Sequence, residues 1–497
     1  MRSAIGLLLS GGVLSLAFLP GDWWLLLGVP AVSFRLLSGR GWQGGLLGGW
    51  LWGFSFYFVQ GYWALPVFEQ RAASPLYAGI AWALAALWAS GFHAAFGLVI
   101  NLKPASGWFW DALVVASAWT VCQWLRSLGT FGFPWAMWSA ALAQQPFLIQ
   151  PADIGAVWLL EWGLAFWNAL LGQILASFRS SEIWRLAQIS GVLLLIAVGW
   201  CGYSLWRMSQ NSQLDRSERI VRVGVLQYPR PVRPETERQE LDEICMRARS
   251  EGVAWLILPE SMAHFVPEST DGQQWHERAR KFGGSILLGA SRRYDSRWRT
   301  NSACVLASEQ ELVCRDKVKL MPFTEARLSW SVFGLLPALG LREPQAIRAG
   351  DQLQVLVGKD GTRVGALICS ESLYSWLARG MVLEGAEWLA VMSNDSWLPS
   401  EVVRYQFAQY CALRAVECRR WVVRASPNGF SGVWTPAGVW SGPPLDRLAF
   451  WVSAISTRTD RTLAVRGGDW VVYLALGVVA SGSLYPVWKQ RKGAVSK

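Results

Sequence analysis

Ionisable side chains are sparse over the first two-fifths of this chain. Residues 1–210 hold 9 of its 46 Lys and Arg and 6 of its 35 Asp and Glu. A water-soluble domain of that length needs a charged surface. This part therefore folds in hydrocarbon, as helices whose backbone groups pair internally. Apolar segments run at roughly 4–19, 23–38, 43–66, 75–101, 108–126, 150–178 and 184–206. The first two are short and suit a tight hairpin; the others reach or approach the ~20 residues that cross a bilayer. An eighth, 470–488, follows the polar part and ends in Lys489, Arg491 and Lys492. A cleaved signal peptide is the rival reading of the first segment. Arg2 and Pro20-Gly21-Asp22 are compatible with one, but no convincing small-x-small cleavage site follows. Many of the 33 Trp lie near the ends of these runs, where amphipathic indoles favour the membrane interface.

Charge sets the expected topology. With a cytoplasmic N-terminus, the cytoplasmic connections hold Arg35 and Arg40, Lys103, Arg179 and Arg185, then the C-terminal tail. The opposite connections hold few positive residues, Arg71 and Arg126 among them, which satisfies the positive-inside rule. Seven spans then put the polar part outside the cytoplasm, and the eighth returns the chain. The net charge of +11 has no basic stripe or nucleic-acid motif with it, so nucleic acid is not the expected partner. Topogenic Arg and Lys, together with anionic lipid headgroups, account for it better.

From residue 220 the pattern alternates β then α. Strands are expected at 220–226, 254–258, 285–289, 301–307, 311–315, 353–357, 363–368, 388–393 and 421–425. Helices are expected at 234–250, 272–282, 372–384 and 400–419, and Ser431 to Trp440 reads as a short hairpin after Asn428-Gly429. Such alternation predicts an α/β sheet domain with helices on its faces. The expected division is a membrane bundle over 1–209, a soluble domain over 210–466, and a C-terminal span with a basic tail over 467–497.

Three strand-like runs end on chemistry. Ala-Trp-Leu-Ile-Leu-Pro at 254–259 leads into Glu260, Val-Gly-Ala-Leu-Ile at 364–368 leads into Cys369, and Lys317 opens Lys-Val-Lys-Leu-Met-Pro-Phe-Thr-Glu. A thiol ionised by a neighbouring base is a strong nucleophile, and a cation beside it lowers the cost of thiolate and holds a developing oxyanion. Glu260 suits the base, with burial expected to raise its pKa, and Lys317 suits the cation. A buried thiol used only for packing is the bland alternative for Cys369.

A glutamate, a lysine and a cysteine in this order resemble the nitrilase (carbon–nitrogen hydrolase) superfamily. Leu-Met-Pro-Phe-Thr-Glu, Ile-Cys-Ser-Glu, Ser-Asn-Asp-Ser-Trp at 393–397 and Gly-Phe-Pro-Trp at 132–135 resemble its membrane-embedded branch, the apolipoprotein N-acyltransferases. The resemblance implies a four-layer αββα sandwich below a multi-pass α-helical membrane bundle. It implies a bacterial inner-membrane location with the catalytic domain on the periplasmic side, and catalytic Glu260, Lys317 and Cys369. It also implies acyl transfer from a phospholipid, through a Cys369 thioester, to the N-terminal amine of an S-diacylglyceryl-cysteine lipoprotein, with no metal or organic cofactor. Thr324, Ser370 and Leu398-Pro399 depart from the usual pattern of Gly, Tyr and Phe-Gly, which bears on donor and acceptor rather than on the trio. A membrane-tethered amidase, or an acyltransferase with another amine acceptor, is the alternative; an inactive scaffold or transporter is a third, disfavoured by the intact trio and the lack of intramembrane charge pairs.

Other residues keep two readings. Glu325 and Glu371 either orient Lys317 and share its acid–base work, or are an exposed loop acid and a helix cap. Asn394 and Asp395 are expected to support the same cleft edge, and Asn301 either does so or merely starts a strand. His264 either lines the cleft or is a solvated loop residue, and His93 and His276 are isolated. Cys304 and Cys314 are either a disulfide across a hairpin or two buried thiols. Cys411 and Cys418, about 10 Å apart along a helix, cannot bridge.

Topology is testable directly. Cysteines introduced at Ser217 and Ser496 are expected, in whole cells treated with a membrane-impermeant thiol reagent, to label at 217 and not at 496. The reverse pattern overturns the arrangement.

Overall fold

The apolar runs of the first part fold as helices, and one of them, Ala152–Ser177, is kinked at Gly155 and Ala156. The computed structural model describes all residues except 71, 73, 103–106, 178–182, 212–217, 230–233, 266–269, 296–297, 309–310, 323, 327–346, 446 and 496–497. Arg71, Lys103 and Arg179, which enter the charge asymmetry, lie outside the described residues, as do Ser217 and Ser496. The described residues form two compact units, one from Met1–Ser204 and from Asp469 onward, the other from Leu205 to Gly468.

In the first unit, helices Pro75–Leu102, Ala152–Ser177 and Ile183–Gln210 are long and apolar enough to cross a membrane. The run expected at 23–38 is divided. Its first half is a 3-10 helix, Asp22–Gly28, and its second an eight-residue α-helix, Pro30–Leu37. Pro30 explains the division, because it lacks an N–H and suits a first helical turn rather than a helix interior. Helix Gly41–Gln60 carries Gly45, Gly49 and Gly53 at four-residue spacing, on one face. A Cβ on Gly45 would lie 2.3 Å from the Gly97 carbonyl oxygen, and one on Gly49 only 2.2 Å from that of His93. The two helix backbones therefore touch, which is how helices associate where water provides no hydrophobic drive. Acids inside this unit are paired: Glu161 accepts from Trp119 Nε1 at 3.0 Å and from the Ser139 amide at 2.7 Å. Asp469 accepts from the indoles of Trp124 and Trp158 at 3.0 and 2.9 Å.

The second unit is built on two sheets. Its strands in chain order are β1 (Ile220–Gln227), β2 (Trp255–Ile257), β3 (Ala263–Phe265), β4 (Ser285–Arg293), β5 (Arg299–Leu306), β6 (Val313–Asp316), β7 (Leu356–Val357), β8 (Arg363–Ile368), β9 (Trp388–Met392), β10 (Val422–Ala425), β11 (Gly432–Trp434), β12 (Trp440–Ser441) and β13 (Ala449–Ser456). One sheet runs β13-β1-β2-β4-β5-β6 with β3 also on β4; the other runs β12-β11-β10-β9-β8-β7. Alternation along each strand sorts its side chains. Val223, Val225, Trp255 and Ile257 meet Val364, Ala366, Trp388 and Ala390 in a core between the sheets. Leu226, Leu256 and Leu288 face outward against Leu241, Ile244 and Trp275, from helices Pro234–Ser250 and Thr270–Phe282. On the other sheet, a Cβ added to Gly365 would lie 2.7 Å from Met381 Cβ of helix Ser375–Leu383. The layering is αββα, as expected.

Strands β3 and β13 go beyond the sequence expectations, and one open choice is resolved. β13, unassigned from sequence, pairs antiparallel with the whole of β1; its run Phe450-Trp451-Val452 has no polar alternation to mark it as a strand. Cys304 and Cys314 are opposite partners in the β5–β6 ladder and form a disulfide, settling the open choice against two thiols. Cys411 and Cys418 are unpaired and buried.

The glycine contact yields a comparison. Gly49→Leu is expected to lower the detergent melting stability of the full-length protein, by the roughly 1–3 kcal/mol of an overpacked interior. Gly79→Leu, whose added carbon meets nothing within 4 Å, is expected to melt as wild type.

Candidate active site

Glu260 sits where a strand is interrupted. β2 pairs with β4 at residues 285–287 and β3 pairs with it at 290–292, so the chain between them arches over Gly289. A Cβ on Gly289 would lie 2.6 Å from Glu260 Cα, so the arch needs glycine there. Ser261 takes φ +59° to complete it, and the Glu260 amide bonds the Ser393 carbonyl at 3.3 Å, just past β9.

Lys317 follows β6 directly. Its amide continues the ladder to the Asn301 carbonyl at 2.7 Å, and its own carbonyl accepts from Gly350 at 2.8 Å. Cys369 leaves β8 at φ +51°, a left-handed conformation that costs a residue with a Cβ about 1–2 kcal/mol. The sharp turn starts the short helix Cys369–Leu373 and stands its side chain at the strand exit.

These three expected residues meet. Lys317 Nζ lies 2.9 Å from Glu325 Oε1 and 3.8 Å from Glu260 Oε1. The Cys369 thiol is near enough to Glu260 and Lys317 that each acts on its protonation. Asn301 Nδ2 bridges the acids, donating to Glu260 Oε1 at 2.7 Å and to Glu325 Oε1 at 3.1 Å. The Asn394 amide donates to Glu260 Oε2 at 2.9 Å. Glu325 is held by a turn in which it accepts from the Met321 amide at 2.8 Å, so it is no free loop acid.

Glu371 has a different place from that of Glu325. Its carboxylate is fully buried and receives both arms of the Arg315 guanidinium, at 2.6 and 2.8 Å. The Ile368 amide also donates to it, at 2.9 Å. It caps the helix after Cys369 and also accepts from the Val318 and Lys319 amides at 2.8 and 3.2 Å, just past Lys317. Asp395 is likewise clasped by Arg424 at 2.8 and 3.0 Å and by the Ser393 hydroxyl at 2.6 Å, which fixes the turn carrying Asn394. Sequence reading missed Arg315 and Arg424. Arg315 carried one signal, standing two residues before Lys317 and hence on the same side of an extended chain. His264 lies in β3, and its side chain is outside the described residues.

Burial dominates the electrostatics. It raises the Glu260 carboxyl above the ordinary range, with Glu325 adding to the effect and Lys317, Asn301 and Cys369 opposing it. Burial and then the Glu260 charge push the Cys369 thiol up to about 12, with Lys317 pulling it down. Burial alone would lower the Lys317 ammonium, but Glu325 and Glu260 outweigh it and hold the group above its usual value. The resting arrangement is a neutral thiol beside a basic carboxyl and a cation. It can pass the thiol proton to Glu260 as sulfur attacks a carbonyl, and can stabilise the oxyanion through Lys317.

Comparison with known proteins bears on both parts of the chain. The sequence model of the apolipoprotein N-acyltransferase N-terminal domain matches residues 10–170, and that of the carbon-nitrogen hydrolases matches 222–455. Similar curated proteins include an apolipoprotein N-acyltransferase of Pseudomonas syringae pv. tomato, 28% identical over 87% of this chain and 86% of its own. Another, of Gloeobacter violaceus, is 26% identical over 80% of each. Among solved structures, an amidase from Nesterenkonia sp. is similar at a TM-score of 0.35 and 18% identity, over 50% of this chain and 93% of its own.

The geometry distinguishes two nearby lysines. Lys317→Met is expected to lower the rate at least ~10²-fold, the scale of a lost oxyanion donor. Lys319, whose ammonium lies over the Tyr374 ring at 5.2 Å, is expected to tolerate the same change far better. Equal losses in steady-state assays of the two variants would mean that the cation is wrongly assigned.

Proposed function

The chain belongs to the apolipoprotein N-acyltransferase family, and from that premise we propose that it moves a fatty acyl group from a phospholipid to the N-terminal amine of an S-diacylglyceryl-cysteine lipoprotein. The observation that carries this reading is the convergence of Glu260, Lys317 and Cys369 in a chain that also supplies an apolar helical bundle. A soluble amidase needs no such bundle; an enzyme drawing its acyl group from a bilayer does.

The first half-reaction forms a thioester. Cys369 passes its proton to Glu260 while its sulfur attacks the phospholipid ester carbonyl, and Lys317 balances the oxyanion. Collapse breaks the ester C–O bond, and the leaving lysophospholipid oxygen takes the proton back from Glu260. In the second half-reaction the acceptor amine attacks the thioester carbonyl. Glu260 receives the amine proton and returns it to the departing Cys369 sulfur, leaving an amide. Glu325 and Asn301 keep Lys317 and Glu260 in place throughout. No group outside the chain and its two substrates enters either step.

Residues 1–209 and 467–497 are the membrane parts in this reading, with seven crossings before the catalytic domain and one after it. The 210–466 domain works on the periplasmic side of the bacterial inner membrane. Charge asymmetry supports that orientation. So does the Cys304–Cys314 disulfide, a bond that persists in oxidising compartments.

Mass spectrometry tests the reaction. Incubation with phospholipid and no acceptor is expected to add one acyl mass to the protein, removable by neutral hydroxylamine. Cys369→Ala is expected to give no adduct, while Cys411→Ala and Cys418→Ala still acylate. A diacylglyceryl-cysteine peptide with a free amine is expected to collect the acyl group, and the same peptide with a blocked amine is not. Decay at one rate with either peptide would make water the acceptor and the protein a hydrolase.

A further inference from the structure

Glu371 collects five hydrogen bonds. Two come from Arg315, at 2.6 and 2.8 Å, and three come from backbone amides: Ile368 at 2.9 Å, Val318 at 2.8 Å and Lys319 at 3.2 Å. Ile368 immediately precedes Cys369, and Val318 immediately follows Lys317. One buried carboxylate thus holds the chain on either side of the gap between nucleophile and cation. The two segments come from different sheets, Lys317 after β6 and Cys369 after β8.

The carboxylate can do this only while it is ionised. A protonated acid would turn one acceptor site into a donor and leave amides unpaired. An unpaired carboxylate in this fully buried place would take up a proton rather than remain charged. Arg315 supplies the compensating charge, and its planar fork matches both oxygens. It also donates to the Ala366 carbonyl in β8 at 3.0 Å, so the guanidinium itself joins the sheets.

We propose that Arg315 is a positioning residue for the acyl-transfer reaction, fixing Lys317 against Cys369 by way of Glu371. The inference rests on the function proposed above, yet it is read from thiol chemistry that needs neither substrate. Lysine at this position keeps the charge but loses the fork and the third bond.

The test compares full-length wild type with Arg315→Lys in detergent. It follows the rate at which iodoacetamide alkylates Cys369, located by peptide mass spectrometry, alongside steady-state acyl transfer. Arg315→Lys is expected to alkylate at least ~10-fold more slowly, because thiolate is harder to form when the cation moves. Its kcat is expected to fall ~10²-fold, the scale of a 1 Å misplacement, with the phospholipid KM unchanged. Arg420→Lys is the control. It alters another buried guanidinium, one that bonds the Ala386 and Asp460 carbonyls at 3.1 and 2.6 Å, and it is expected to lower the melting temperature without slowing alkylation. Where Arg315→Lys fails to fold, the Arg315→Met/Glu371→Met double variant replaces the pair with apolar groups of similar size, and it too is expected to alkylate slowly. Wild-type alkylation in whichever variant folds overturns the proposal, as does equal slowing in Arg420→Lys. Wild-type protein that alkylates at Cys369 but transfers no acyl group overturns the proposed function and leaves this comparison standing.

Discussion

A lysine ammonium 1% exposed to solvent can remain charged only if carboxylates replace its water. Lys317 meets that condition with Glu325 at 2.8 Å and Glu260 at 3.8 Å, and much of the site follows from it. Two acids so close together, Glu260 buried and Glu325 half-buried, need a shared donor, which Asn301 provides. Burial, and then the negative charge of these acids, keeps the thiol neutral at rest. Sulfur therefore becomes nucleophilic only as its proton leaves for Glu260, so activation and attack belong to one event.

Holding that balance is a task for the scaffold. Glu260, Cys369 and Asn394 all follow the carboxyl ends of parallel strands, where a doubly covered sheet opens its crevice. Each is set by a buried contact rather than by loop sequence alone. Gly289 admits the Glu260 arch, Arg424 clasps the Asp395 turn, and Arg315 clasps Glu371. Buried ion pairs are poor sources of net stability, since desolvation offsets much of their attraction. Their use here is geometric: a bidentate fork allows one orientation.

Much of this was legible in the sequence. Glu260 and Cys369 each end an apolar strand, a pattern visible without coordinates, and the strands and helices of the α/β part lie near their expected places. Arg315, Arg424 and the bridging part of Asn301 were not legible, because their partners are 24 to 56 residues away in the chain. Spacing carries no information about such pairs. β13 was missed for a related reason: its partner β1 lies at the opposite end of the domain. The division of 23–38 was foreshadowed by Pro30, whose local effect is strong enough to end a helix wherever it falls.

The bond between Cys304 and Cys314 ties β5, which carries Asn301, to β6, which leads into Lys317. Each of these sulfurs sits three positions from one of those polar groups. A chain folded in a reducing compartment would have two thiols there instead. The redox state of this pair is therefore a travel record, stamped into each molecule beside its own working parts and readable from mass alone.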